Sequence, residues 1–179
     1  MNGREILIGV TGGIAAYKTA ALVSRLVQGS AGVTTIMTHA AQEFIGPATF
    51  AALTGRPVLT KAFDPNGSPL GAHIEAAQTA ELLCIAPASA DFLAKMAHGI
   101  ADDLLSTTYL YFEGPVLVAP AMNCQMWEKA AVQRNVAQLE QDGVTFIGPD
   151  EGWLSCRQKG LGRMSSPDSI FDAIATVIS

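Results

Sequence analysis

No apolar run in this chain approaches the roughly 20 residues needed to cross a bilayer, although 49% of its 179 residues are hydrophobic. Basic clusters are missing as well. With a net charge of −5 and a pI of about 5.1, the chain lacks the electrostatic footprint of a nucleic-acid binder. Charged residues make up only 15%, and mean hydropathy is +0.29. So much apolar material in a water-facing chain has two outlets, a parallel sheet buried on both faces and a subunit interface. Both are expected. Cysteine is scarce: Cys84, Cys124 and Cys156 are odd in number and form no CxxC, so neither a disulfide framework nor a zinc site is supported. A reducing cytoplasm is the expected compartment. The N-terminus lacks the apolar stretch and cleavage site of a signal peptide. There is no repeat, no linker, no G-x-G-x-x-G and no P-loop GK[ST].

What is present alternates between strand-like and helix-like segments. Residues 6–10, 33–37, 82–86, 116–119 and 144–147 read as strands. Residues 17–28, 41–53, 90–97, 102–111, 126–141 and 167–178 read as helices. The pattern predicts one domain over residues 1–179: an α/β doubly wound parallel sheet, Rossmann-like, in three α/β/α layers. Residues 57–72 read as a loop, and residues 148–164 as a glycine-rich flap. Ligands of such sheets bind beyond the carboxyl ends of the strands.

The chemistry-bearing residues stand at those ends. After the first strand, Thr11-Gly12-Gly13-Ile14-Ala15 leads into a helix, an arrangement in which backbone N–H groups and the helix dipole face an anion. A tight ligand-free turn is the plainer reading. Thr38 follows the second strand as a hydroxyl donor or a helix cap. His73 opens a helix after the 57–72 loop and can serve as base or carboxylate anchor; His39 and His98 have no better spacing. Pro87-Ala88-Ser89-Ala90-Asp91 offers small residues and a polar pair against which a flat ring can lie. Pro120-Ala121-Met122-Asn123 brings an amide to the next strand end, again with a cap as the alternative. Cys84 sits in an apolar run and reads as a small buried hydrophobe. Cys156 lies among glycines and cations, in Trp153-Leu154-Ser155-Cys156-Arg157 and Gly160-Leu161-Gly162-Arg163-Met164. Nearby cations lower a thiol's pKa, and glycines let backbone approach a ligand. Such a flap suits folding over a bound anion, although an incidental surface cysteine fits the same residues.

In this order the motifs resemble those of the homo-oligomeric flavin-containing cysteine decarboxylases. Pro120-Ala121-Met122-Asn123 with Met126-Trp127 is similar to the family's PxMNxxMW signature. Pro87–Asp91 is similar to its PASAN motif, with aspartate replacing the usual asparagine. Cys156 in its flap resembles the coenzyme A branch, with Arg157 where glycine is common. The resemblance implies FMN, held at Gly12, Gly13, Ile14, Ala15, Thr38, Ala88, Ser89, Ala90, Asp91 and Ala121. It implies 4′-phosphopantothenoylcysteine as substrate, contacted by Met122, Asn123, Trp153 and Ser155, with His73 and Cys156 catalytic. It also implies a trimer, or trimers gathered into a dodecamer, and a phosphopantothenoylcysteine synthetase supplying the substrate. The chain would then be a stand-alone form or one half of a fused protein. Competing readings are an oxidative peptidyl-cysteine decarboxylase, a flavin prenyltransferase, a non-catalytic flavin-binding protein and a generic nucleotide-binding domain.

Overall fold

The computed structural model describes residues 1–63 and 71–179. Its centre is a five-stranded parallel sheet of β1 (Glu5–Val10), β2 (Gly32–Met37), β3 (Leu82–Ala88), β4 (Val116–Pro120) and β5 (Thr145–Phe146), in the order β2-β1-β3-β4-β5. These strands are short apolar runs because both faces of the sheet are covered. Ile6, Ile8 and Val10 of β1 point into one core with Leu82 and Cys84 of β3, while Leu7 joins Leu83 and Ile85 in a second core on the other face. The period-2 alternation of a strand thus feeds two cores at once.

Helices α1 (Ala16–Gln28), α2 (Pro47–Thr54) and α8 (Pro167–Val177) cover the first face. In α1, Ala16, Thr19, Leu22, Val23 and Leu26 form the buried stripe, the spacing of an amphipathic helix. Helices α3 (Ala72–Thr79), α4 (Ala90–His98), α5 (Leu104–Tyr111) and α7 (Ala130–Gln141) cover the second face, with the single turn α6 (Cys124–Trp127) between β4 and α7. Asp103 and Ser106 close a capping box at the start of α5. Among the described residues, no helix is long and apolar enough to cross a membrane.

The expected doubly wound sheet is present, with three local corrections. The helix expected over 41–53 is a 3₁₀ turn, Ala40–Glu43, followed by α2. Pro47 has no N–H to donate and holds Gly46 in extended backbone, so a new helix starts there. The helix expected over 126–141 is broken at Lys129, whose backbone is extended (φ −63°, ψ 132°). The Gln133 side chain closes that break by donating to the Trp127 carbonyl at 2.6 Å. The flap expected over 148–164 is an antiparallel hairpin of β6 (Asp150–Trp153) and β7 (Lys159–Arg163). Of the 57–72 loop, residues 64–70 lie outside the described residues; Leu59 bridges to Ile36 beyond the edge of β2.

After β2 the chain crosses over β1 to lay down β3, so the topology switches between β1 and β3. Sheets of this order open a crevice at that point.

Candidate active site

A cleft of about 740 Å³ lies beyond the carboxyl ends of β1, β3 and β4, with the β6–β7 hairpin on its far side. Thr11 and Thr19 fasten its floor. The buried Thr11 donates its N–H and its hydroxyl to the Pro87 carbonyl, at 3.3 and 2.6 Å, and its Oγ1 accepts the Ser89 N–H at 2.9 Å. Thr19 Oγ1 donates to the Ala86 carbonyl at 2.7 Å. Two buried hydroxyls therefore fix the end of β3 against β1 and α1. Sequence reasoning did not single out either threonine; the only signal was that they bracket the glycine turn.

Gly12, Gly13, Ile14 and Ala15 line the cleft at the start of α1. Their N–H groups meet no acceptor among the described residues, so the turn leading into a thirteen-residue helix offers free donors to an anion. Ala40 crowds this turn from behind: a Cβ on Gly12 would stand 2.6 Å from the Ala40 Cβ. Ser89, Ala90, Ala121, Met122 and Asn123 form the opposite wall. The Ser89 hydroxyl caps α4 by accepting the Phe92 N–H at 3.2 Å. Asn123 Oδ1 caps α6 by accepting the Gln125 N–H at 2.7 Å, while its amide nitrogen has no acceptor among the described residues. Asn123 therefore caps α6 with its oxygen while lining the cleft.

The hairpin is docked on that wall. The Met122 N–H donates to the Gly162 carbonyl at 2.9 Å. A Cβ on Gly162 would collide with the Met122 carbonyl oxygen, and one on Gly160 would stand 2.9 Å from the Cys124 Cβ. Lacking side chains, Gly162 approaches the Met122 backbone and Gly160 packs on the Cys124 side chain. Trp153, Leu154 and Ser155 thereby reach the cleft. Cys156 is exposed at the hairpin tip, one residue past Ser155. Arg157 has φ 62°, the left-handed region that favours glycine.

Five expected residues do not line the cleft. Thr38 accepts the Ala41 N–H at 3.2 Å and caps the 3₁₀ turn. Ala88 is fully buried at the end of β3. Asp91 stands 3.9 Å from Lys95 Nζ, which also holds Asp102 at 2.8 Å and Asp103 at 3.1 Å. Those carboxylates, Asp102 foremost, raise the Lys95 pKa above the ordinary lysine value. His73 packs edge-on against Tyr111 of α5, with ring centroids 6.1 Å apart, on the face of the sheet away from α1. One copy of the chain therefore does not bring His73 to the cleft. Cys156 stands at the rim rather than in the wall. Cys84 is buried as expected, and burial pushes its thiol up to about 12, which makes it inert. Lys18, Tyr17, Phe44 and Arg163 line the cleft and were not singled out from the sequence.

The Flavoprotein family profile matches residues 1–179. The chain belongs to the Flavoprotein family. Among curated relatives of this Flavoprotein family member is the coenzyme A biosynthesis bifunctional protein CoaBC of Bacillus subtilis (strain 168), 47% identical over 170 residues, which are 95% of this chain and 42% of the relative. The chain thus spans less than half the length of the relatives of this kind that it matches. Among solved structures, the FMN-dependent cysteine decarboxylase SpaF is similar with a TM-score of 0.84 and 38% identity, covering 98% of this chain and 95% of that one. A Cys→Ser mutant of PPC decarboxylase complexed with pantothenoylaminoethenethiol is similar with a TM-score of 0.86 and 28% identity, covering 97% of both chains. The cleft fits a flavin mononucleotide: free N–H groups for a phosphate at Gly12–Ala15, and a wall of small residues at Ala90 and Ala121 for a flat ring.

Proposed function

We propose that this protein is an FMN-dependent decarboxylase that converts 4′-phosphopantothenoylcysteine to 4′-phosphopantetheine in coenzyme A biosynthesis. The observation that carries the reading is the docking of the Cys156 hairpin on the Met122–Cys124 turn, which sets an exposed thiol and the Asn123 amide beside one flavin-sized cleft. The name of the Bacillus subtilis relative and the ligand of the PPC decarboxylase structure support the same substrate.

A cysteinyl carboxylate has no electron sink, so direct loss of carbon dioxide would leave an unstabilised carbanion. Once the thiol-bearing carbon is oxidised to a thioaldehyde, the carboxylate lies β to a C=S group and leaves as carbon dioxide, giving an enethiolate. A flavin held at Gly12–Ala15, Ala90 and Ala121 would supply the two-electron redox chemistry for this, oxidising the thiol-bearing carbon before decarboxylation and restoring it afterwards, so that no net oxidation results. Asn123 uses its free amide N–H groups to hold the cysteinyl carboxylate while its Oδ1 stays fixed by the α6 cap. Cys156 supplies a proton to the enethiolate carbon and recovers one from water. His73 assists the oxidative half as base or carboxylate anchor, and it reaches the cleft from a neighbouring copy of the chain.

The test is mass spectrometry of products from phosphopantothenoylcysteine with the flavin-loaded protein. Cys156→Ser is expected to release carbon dioxide and accumulate the enethiol without forming 4′-phosphopantetheine. Normal product from Cys156→Ser removes the thiol from the mechanism. An enethiol end product from the unmodified protein selects the oxidative peptidyl-cysteine reading instead.

A further inference from the structure

The charges around the cleft are one-sided. Its charged lining residues among those described are Lys18 of α1 and Arg163 of β7, with no carboxylate. A chain of net charge −5 keeps its acids away from this space and places two cations in it. Neither is ion-paired among the described residues. Lys18 Nζ has one weak partner, the Met164 carbonyl at 3.4 Å. The Arg163 guanidinium lies flat across Gly152 on the paired strand, where a Cβ would stand 2.8 Å from its Cζ. Burial lowers the Lys18 pKa first and repulsion from Arg163 lowers it further, with Asp150 opposing. Two like charges held on facing elements cost free energy unless an anion joins them. Arginine's planar fork suits the oxygens of a phosphate, and a lysine adds a point charge beside it. Arg157, the flap cation nearest Cys156 in sequence, sits at the hairpin tip and does not line the cleft.

We infer that Lys18 and Arg163 grip a phosphate monoester between α1 and the hairpin, so that the ligand itself ties the hairpin down over the cleft. The inference rests on the proposed function for its two candidate ligands, the flavin's phosphate and the substrate's terminal phosphate. Both share this chemistry, and the test separates them.

Dissociation constants of Arg163→Gln and Lys18→Gln are compared with those of the unmodified protein for two ligand pairs. FMN against riboflavin is read by quenching of flavin fluorescence, and 4′-phosphopantetheine against pantetheine by calorimetry on the flavin-loaded protein. The unmodified protein is expected to favour the phosphorylated member of at least one pair. Arg163→Gln is expected to cut that preference about tenfold or more, the scale of a charge-assisted hydrogen bond, with affinity for the unphosphorylated member kept within about twofold. Retained affinity for riboflavin also shows that each variant is folded. A loss confined to the FMN pair assigns the grip to the flavin, and a loss confined to the pantetheine pair assigns it to the substrate. An unchanged preference in both pairs, or none in the unmodified protein, overturns the inference. An unmodified protein that decarboxylates nothing sinks the proposed function, while the FMN–riboflavin comparison still decides this grip.

Discussion

At the scale of single residues, the site is built by what is missing at Cβ as much as by side chains. Gly162 shows this most directly, because its Cα faces the Met122 carbonyl oxygen with no room for a methyl group, at φ 153°. In Gly162→Ala, the strain can be relieved without unfolding either core, since outside its own hairpin β7 touches mainly α6. Overpacking of this kind costs about 1–3 kcal/mol, enough to shift the hairpin between docked and undocked by one to two orders of magnitude. The expected result is a fall of about tenfold or more in kcat/KM, with little change in thermal midpoint and with far-UV circular dichroism unchanged. Full activity in Gly162→Ala would mean that docking of the hairpin on Met122 is not needed for turnover.

At the scale of elements, legibility in the sequence follows burial. The parallel strands read correctly because a sheet covered on both faces leaves continuous apolar runs such as residues 82–85. The turn at Gly12–Ala15 and the Asn123 segment were legible because a strand end followed by small or polar residues is a local pattern. The break at Lys129 was not legible: no glycine or proline marks it, and it depends on Gln133 reaching back to Trp127. The hairpin was hidden for a different reason. Gly152, Gly160 and Gly162 lower strand propensity, yet they are required by the Arg163 guanidinium, Cys124 and Met122 packed against them. Tertiary contact overrides local preference there. Within this element, Arg157 is the residue at odds with its backbone. An L-residue in the left-handed region costs about 1–2 kcal/mol, and the Arg157 N–H to Leu154 carbonyl bond at 2.9 Å keeps it there. Arg157→Gly removes that cost, so decarboxylation is expected to stay within about twofold of the unmodified rate. A loss of tenfold or more would show that the guanidinium itself reaches the substrate.

At the scale of the whole molecule, the placement of His73 and Cys156 leads to assembly. Two exposed apolar patches lie on different faces of the sheet. Tyr17, Met126 and Trp153 rim the cleft with exposures of 60%, 48% and 68%, while Leu110 and Tyr111 of α5 are 51% and 43% exposed beside His73. Patches on different faces of one chain can join head to tail, and such a contact forms a ring where its rotation closes and an open filament where it does not. Under the proposed function, such a ring would give each cleft the His73 of its neighbour. Subunit mixing tests this without a crystal. Copies carrying His73→Asn retain the thiol, and copies carrying Cys156→Ser retain the histidine. Neither homogeneous protein is expected to make 4′-phosphopantetheine. Random co-assembly of equal amounts rebuilds a complete site wherever an intact histidine meets a neighbour's intact thiol, about a quarter of all interfaces in a closed ring. Product formation near that fraction of the unmodified rate supports a shared site. No recovery, in mixtures shown by native mass spectrometry to contain both kinds of copy, would mean that the cleft does not take His73 from a neighbouring copy.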